Sequence, residues 1–339
     1  MATLRAPTGA HTAAISAPAR QAAIVGSGAY LPEAVLDNAQ LEAMVETSDA
    51  WILERTGIRE RRRAGSGETT SMMGAEAGRR ALAAAGSPRV DVLIVATFTP
   101  DTLTPSAACL VQRRLRLGGI PAFDVNAACA GYVYSLALAR ALIQAGTAET
   151  VLIVAAESMT TVIDYSDRAT CVLFGDGAGA TVLGAVQHEG ITAINWGADG
   201  NDADLIYYGP KMPEGDGPDG IRMHGKGTFR TAVERMTDVA TQLCSDSGWN
   251  ASDVDLFVPH QANLRIIEAT AKRLGMPMEK VMVTLDRFGN TSAASVPIAL
   301  AEAVAAGRLH QGDKVVCAAF GAGSTWGGVA MTWQSAPAG

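Results

Sequence analysis

Two stretches decide the fold: YSLALARALIQAG, residues 134–146, and VPIALAEAVAAG, residues 296–307. Each is apolar almost all round, so a helix formed there has no face to give to water. The apolar run around 127–143 is too short to span a membrane, and Arg140 interrupts it. The second stretch lies 162 positions after the first. The chain around them repeats as well. VDVLIVATFT (90–99) reads as a buried strand, and VDLFVPHQAN (254–263) reads the same way 164 positions later. Each apolar helix is followed by an apolar strand, TVLIVAAES (150–158) and DKVVCAAFGAG (313–323). Similar offsets for separate matches point to an internal duplication of an α/β half. Strands apolar throughout imply sheets covered on both faces, with the two helices as a shared central layer. The expected organisation is a tail over 1–20, a first half over 21–184 and a second half over 185–339, with the join near Gly184.

Composition agrees with this reading. The 339 residues are 48% hydrophobic with 36 glycines and only 5% aromatics, so helix–sheet packing runs through Ala and Gly rather than rings. The net charge of −7 argues against a nucleic-acid partner, and an acidic partner would need a local basic patch. The five cysteines include no C-x-x-C pair, which argues against a zinc or iron–sulfur site. Their odd number, without a secretory signal, fits reduced thiols in a cytoplasm. Residues 1–20 carry no acid and no period, and read as a floppy tail, with a weak transit peptide as the alternative. Two glycine runs have weak claims to nucleotides. GSG at 26–28 lacks a third glycine at the right spacing and meets Pro32, so it reads as a strand-ending turn. FGDGAGA (174–180) lies between the apolar runs TCVLF and ATVLG, so it reads as a turn joining strands.

The duplicated halves carry different polar residues at matching places. Cys129 precedes the first apolar helix and Asn290 the second, while His260 follows the strand DLFVP. All three fall at C-terminal ends of strands, where open α/β sheets hold their sites. A cysteine at a helix N-terminus meets unpaired backbone N–H groups and the positive end of the dipole, which favour a thiolate with a pKa of roughly 3.5 to 7.5. Singly, each has a plainer reading: Cys129 as a small buried residue, His260 as a helix cap, Asn290 as a turn residue. Their joint placement in the repeat is what raises them. The basic run 55–63, with Arg55, Arg59, Arg61, Arg62 and Arg63, reads by default as a solvated face.

DVNAACAGYVYSL, PHQANLRII, FGNTSAASVPIAL and AFGAGSTWGG together resemble the signature segments of β-ketoacyl-acyl carrier protein synthase III, of the thiolase superfamily. SDAWILERTGIRERR (48–62) and DRATCVLFGDGAGA (167–180) match too, and the resemblance runs in order from about residue 21 to 334. It implies a thiolase-like five-layer αβαβα fold, a homodimer, and a condensation without metal or redox cofactor. Cys129 would take an acyl group from acyl-CoA. Malonyl-acyl carrier protein would then lose CO2, and His260 and Asn290 would donate hydrogen bonds to the resulting enolate. The backbone N–H groups of Cys129 and Ala322 would form the oxyanion hole, with Ala322 where many relatives have Gly. Trp51 and Arg55 match the pair that sandwiches the CoA adenine, and Arg168 and Asn263 match further CoA contacts. Lys226 stands where relatives often carry Asn. Thr104 stands where short-chain-specific relatives often place a Phe that reaches across the dimer to close the acyl pocket. Arg230, Arg265, Lys272 and Arg273 would make the basic patch for an acidic carrier protein. Residues 265 and 272 share a helix face.

Three rivals remain at this point. One is a relative that condenses or transfers acyl groups in secondary metabolism. Another is a Cys-His-Asn thioester hydrolase, against which the duplication and the Trp51/Arg55 pair argue. The third is a silent partner subunit, which should have lost Cys129.

Overall fold

The structure, a computed structural model, describes residues 20–187, 189–209 and 219–334. Apart from Arg20, the expected tail lies outside the described residues.

The first half builds a five-stranded sheet. Its strands are β1 (Gln21–Tyr30), β2 (Val92–Ala96), β3 (Ala122–Val125), β4 (Thr150–Glu157) and β5 (Gly177–Val186). Their order is β1-β5-β4-β2-β3, with β4, β2 and β3 parallel and β5 antiparallel to both neighbours. The second half builds a sheet from β6 (Ile191–Ala198), β7 (Leu256–Pro259), β8 (Lys314–Gly321) and β9 (Thr325–Thr332), in the order β7-β8-β9-β6. The pairing directions are the same, strand for strand. The counterpart of β3 is reduced to a single parallel bridge between Phe257 and Val281.

Helices cover both sheets. On the outer face of the first lie α2 (Thr70–Ala84) and α3 (Ala107–Leu115), after the short α1 (Asp49–Thr56). On the outer face of the second lie α5 (Gly225–Asp246) and α6 (Leu264–Arg273). Between the sheets lie α4 (Gly131–Gln144) and α7 (Ser295–Ala305), the two all-apolar stretches. The strands alternate accordingly. In β4, Val151, Ile153 and Ala155 join the central core, while Leu152, Val154 and Ala156 join the outer one. In β8, Val315, Cys317 and Ala319 face the centre, and Val316, Ala318 and Phe320 face α5 and α6. The five αβαβα layers follow from that period of two between helix layers. Strand β2 begins at 92 and β7 at 256, α4 at 131 and α7 at 295, β4 at 150 and β8 at 314, so the offset is 164 each time.

Three local expectations are corrected. The GSG at 26–28 does not end a strand but sits inside β1, at a register shift between Ile24 and Gly26. A Cβ at Gly26 or Gly28 would stand 2.5 Å from backbone atoms of Ala81, so the glycines let β1 press against α2. Residues 171–174 are not a strand. They leave a one-turn helix, Arg168–Cys171, and run as buried coil, so only the second apolar run, β5, is a strand. Arg61 is not solvated: it is 0% exposed and donates to the carbonyls of Leu36 and Val172 and to Asn38 Oδ1. Burial lowers its pKa to about 10, and those three acceptors hold the guanidinium in place.

The central layer is held by close approach rather than by large side chains. A Cβ on Gly179 of β5 would stand 2.6 Å from the backbone N of Ile298 and 2.7 Å from the carbonyl carbon of Pro297. Backbone cannot yield as a flexible side chain can. Gly179→Ala is therefore expected to destabilise the fold by about 1–3 kcal/mol, as overpacking does. Urea unfolding at constant m-value measures it. A midpoint equal to the wild type's would contradict the packing argument.

Candidate active site

Cys129 lies in a tight turn, Ala128–Ala130, that joins the end of β3 to α4. Ala128 has φ +45°, a left-handed conformation that turns the chain sharply into the helix. The turn is pinned from the other half: Thr325 Oγ1 donates to the Ala127 carbonyl at 2.9 Å. The end of β8 presses on the same turn. A Cβ on Gly321 would stand 2.7 Å from the backbone N of Cys129, so glycine there permits the contact that brings Ala322 to the cysteine.

His260 follows β7 and is 2% exposed. Its backbone N–H donates to the Ala318 carbonyl at 2.8 Å, which ties it to β8. Asn290 is 3% exposed and is clamped by backbone: its N–H donates to Leu173 and its carbonyl accepts from Gly175. The N–H of Ser292 donates to Asn290 Oδ1 at 2.8 Å. That bond identifies the oxygen of the side-chain amide, so the NH2 is the group left for a ligand. Cys129, His260, Asn290, Ser292 and Ala322 all line one cavity of about 820 Å³, so the three residues singled out in the sequence meet. Its wall is largely apolar, with Phe98, Met159, Phe174, Ile206, Met223 and Phe320.

Burial sets the charges. His260 is pushed down to about 3 by burial alone, so the imidazole is neutral. Cys129 is pushed up to about 12, chiefly by burial; the Ser292 hydroxyl lowers it and Glu157 raises it further. The thiolate expected from the helix terminus is thus corrected: the thiol keeps some accessible surface, but that surface faces the cavity rather than bulk water. Desolvation there outweighs the helix dipole.

The mouth is formed by α1, α6 and the start of α5. Trp51 and Arg55 lie one turn apart on α1, and both line the cavity. Two guanidiniums approach the Trp51 ring, Arg55 at 6.0 Å and Arg168 at 4.9 Å from its centroid. Arg168, rather than Arg55, is the nearer stacking group. Asn263 also lines the mouth, but its side chain is engaged: Oδ1 accepts from Arg265 N–H as the cap of α6, and Nδ2 donates to the Arg55 carbonyl. Lys226 lines the cavity near this opening. Arg230, Arg265, Lys272 and Arg273 are all exposed, on the adjoining helices α5 and α6, with no ion-pair partner among the described residues. Thr104 is exposed and does not line this chain's own cavity; Leu103 beside it is 98% exposed.

Three residues were missed in the sequence. Asn126 lines the cavity at the repeat position of Asn290, and its Oδ1 accepts from Ala128 N–H as Asn290 does from Ser292. Ser292 repeats Ala128, down to its φ of +49°. The offset of 164 would have found both. Glu157, a lone acid closing the apolar strand VLIVAAE, was a visible signal that went unused.

Comparisons with known proteins agree with this fold. Residues 123–200 match the family model for 3-oxoacyl-[acyl-carrier-protein] synthase III, and residues 244–333 that of its C-terminal part. A β-ketoacyl-[acyl-carrier-protein] synthase III of Xanthomonas campestris pv. campestris is 48% identical over 317 residues, covering 91% of this chain and 98% of the relative. The crystal structure of 3-oxoacyl-[acyl-carrier-protein] synthase III from Aquifex aeolicus superposes with a TM-score of 0.88 at 43% identity, covering 92% of this chain and 100% of that one. The priming β-ketosynthase of the R1128 polyketide pathway superposes with a TM-score of 0.89 at 36% identity, covering 95% and 99%.

The electrostatics make a prediction of sign. The folded pKa of His260 lies near 3, below the 6.5 of an ordinary histidine. Below pH 6.5 the unfolded chain takes up a proton that the fold refuses, so this residue removes stability as pH falls from 6.5 towards 3. In a ¹⁵N-histidine spectrum, the signal lost in His260→Ala is expected to stay at its neutral shifts from about pH 5 to 8. Movement of that signal with a midpoint near 6.5 would mean an imidazole in contact with water.

Proposed function

The chain belongs to the 3-oxoacyl-[acyl-carrier-protein] synthase III family, the condensing acyltransferases of fatty-acid initiation, and from that premise we propose how its own residues run the reaction. The acyl-CoA enters past Trp51, Arg55 and Arg168, and its acyl chain lies along the apolar wall. Cys129 Sγ attacks the thioester carbonyl. The oxygen of the tetrahedral intermediate is held by the backbone N–H groups of Cys129 and Ala322, and CoA leaves. Malonyl-acyl carrier protein then docks on the basic patch of Arg230, Arg265, Lys272 and Arg273. It loses CO2, and the enolate oxygen accepts hydrogen bonds from His260 and Asn290. The new carbanion attacks acyl-Cys129, giving 3-oxoacyl-acyl carrier protein and expelling the Cys129 sulfur, which takes up one proton from water to return the thiol.

The observation that carries this reading is the meeting of Cys129, neutral His260 and a clamped Asn290 amide on one apolar cavity. Enolate formation creates negative charge late, so fixed neutral donors favour the transition state over the ground state. Decarboxylation itself supplies the electron pair, so the proposed sequence uses no metal and no redox cofactor. We also propose a cytoplasmic homodimer. Among the described residues, no helix is long and apolar enough to cross a membrane, and the exposed Leu103–Thr104 segment is where a second subunit would close the acyl end. The likeness to a polyketide priming enzyme favours a specialised pathway as the second reading.

Incubation with a panel of acyl-CoAs, followed by mass analysis of the Cys129 peptide, tests the reading. Wild type is expected to gain the acyl mass, and Cys129→Ser to gain none, since an alcohol without a strong base is a poor nucleophile. His260→Ala and Asn290→Ala are expected to cut CO2 release from a malonyl thioester by about 10²–10³ while sparing acylation. Unchanged release in both would refute the enolate assignment.

Chain length gives a separate test. Thr104 is far smaller than Phe, so the acyl end is expected to be deeper than in short-chain relatives. Each added methylene that finds apolar surface is worth about 0.8 kcal/mol, roughly fourfold. The expected outcome is a higher kcat/KM for a medium-chain acyl-CoA than for acetyl-CoA, reversed by Thr104→Phe. A wild type preferring acetyl, with a mutant that behaves alike, overturns it.

A further inference from the structure

Glu157 is a buried acid for which that sequence of steps has no task. It ends β4, is 0% exposed, and lies beside the reacting thiol rather than at the surface. We propose that Glu157 accepts the thiol proton of Cys129 through the hydroxyl of Ser292 as Cys129 attacks the acyl-CoA. The proposal rests on Cys129 being the nucleophile.

The geometry runs in one direction. The Cys129 thiol donates to Ser292 Oγ across 3.6 Å, within the range for sulfur. The hydroxyl hydrogen of Ser292 then needs an acceptor of its own. Asn290 Oδ1 is already occupied by the Ser292 backbone N–H. Glu157 is close by: its strand β4 packs against the Ser292–Ala294 turn, and the Ser292 hydroxyl is among the groups that lower its pKa. The two carboxylate oxygens are treated differently. Oε2 accepts from the hydroxyls of Thr97 and Thr99 and from the backbone N–H groups of Phe98 and Thr99. Oε1 is buried with no partner of standard hydrogen-bond geometry. One oxygen is clamped and the other is left open, and in the proposal the open Oε1 takes the proton from Ser292. A carboxylate placed only to clamp the loop would have no reason to leave a buried acceptor unmade.

Electrostatics support the same direction. Burial raises Glu157 to about 7, opposed by Thr99, Thr97, the Phe98 N–H and Ser292. Glu157 in turn raises Cys129. One negative charge, not two, is therefore stable in the pair, and deprotonating the thiol requires protonating the acid. The groups facing Glu157 are those hydroxyls and amides and the Cys129 thiol; no Lys or Arg is among the main groups acting on it. His260 opens on the same cavity and is neutral. The step balances. The Sγ–C bond forms, the C–S bond to CoA breaks, and its electron pair goes to the CoA sulfur. The thiol proton passes to Ser292, whose own proton passes to Glu157. The relay run backwards returns a proton to the departing sulfur as CoA-SH.

The test is the pH profile of Cys129 acylation by acyl-CoA, measured from about pH 5.5 to 9.5. Wild type is expected to level off above a midpoint near 7. Glu157→Gln is expected to be about 10²-fold or more slower at neutral pH and to rise tenfold per pH unit without levelling off. Glu157→Asp is expected to restore the plateau in part. Ser292→Ala is expected to lose the plateau like Glu157→Gln, and it tests the relay alone if Glu157→Gln does not fold. Alanine suits that backbone, since Ala128 holds the same left-handed conformation in the other half. Profiles that keep the wild-type shape and merely scale down, in both Glu157→Gln and Ser292→Ala, overturn the relay and leave a structural clamp. A wild type whose Cys129 gains no acyl mass instead overturns the nucleophile reading, so the two failures are distinguishable.

Discussion

The site depends on how closely the first turns of the two central helices approach each other. A Cβ on Gly131, which opens α4, would lie 3.3 Å from the Cβ of Ala96 and 3.7 Å from that of Ala293, the residue just after Ser292. Only small residues fit there, which is why a chain with so few aromatics has its most apolar helices at its centre. The approach brings the ends of β3 and β4, from one half, against the ends of β7 and β8, from the other. Without it, Cys129 and His260 would sit on separate sheets with no shared cavity.

Within that frame the duplication is broken residue by residue. At the common offset, Cys129 corresponds to Ala293, His260 to Ala96, and Glu157 to Gly321. Each reactive side chain thus has a small residue at the matching place in the other half. Those small residues permit the close packing of the site: Ala96 and Ala293 lie against Gly131, and Gly321 lies against the backbone of Cys129. Asn126 and Asn290 keep the pair, because each caps the strained turn that follows it. The backbone repeats because it sets geometry, and the side chains diverge because one cavity needs one nucleophile.

This division explains what was legible in the sequence. The apolar helices and strands declare themselves by pattern, since burial on both sides leaves no polar face to blur the period. Cys129 and His260 are legible because they interrupt that pattern beyond strand ends, whereas Asn290, expected at a strand end, instead follows a one-turn helix, Leu285–Phe288, and was legible from its place before the second apolar helix. Arg61 was not legible, since its acceptors are two backbone carbonyls and one asparagine, brought together by folding rather than by spacing. The GSG of β1 failed for a similar reason: its glycines answer a helix more than fifty residues away, not a local turn. The protonation of Cys129 was misjudged because a local rule, the helix terminus, was applied without the depth of burial that tertiary structure adds.

Depth also sets the character of the chemistry. A dry cavity pushes the thiol up and the imidazole down, so both are neutral in the resting enzyme. Neutral groups are inexpensive to bury, whereas a standing thiolate would need a fixed counter-charge, and among the described residues the cations that line the cavity, Arg55, Lys226 and Arg265, stand at its mouth. On Cys129, His260 and the substrate, charge then forms only once the proposed reaction begins. In the proposed reaction it develops first on the carbonyl oxygen facing the N–H groups of Cys129 and Ala322, and later on the enolate oxygen facing His260 and Asn290. Low local dielectric strengthens these hydrogen bonds at the moment charge appears. The same burial that withholds the thiolate from the resting enzyme is what makes fixed, uncharged donors effective during turnover.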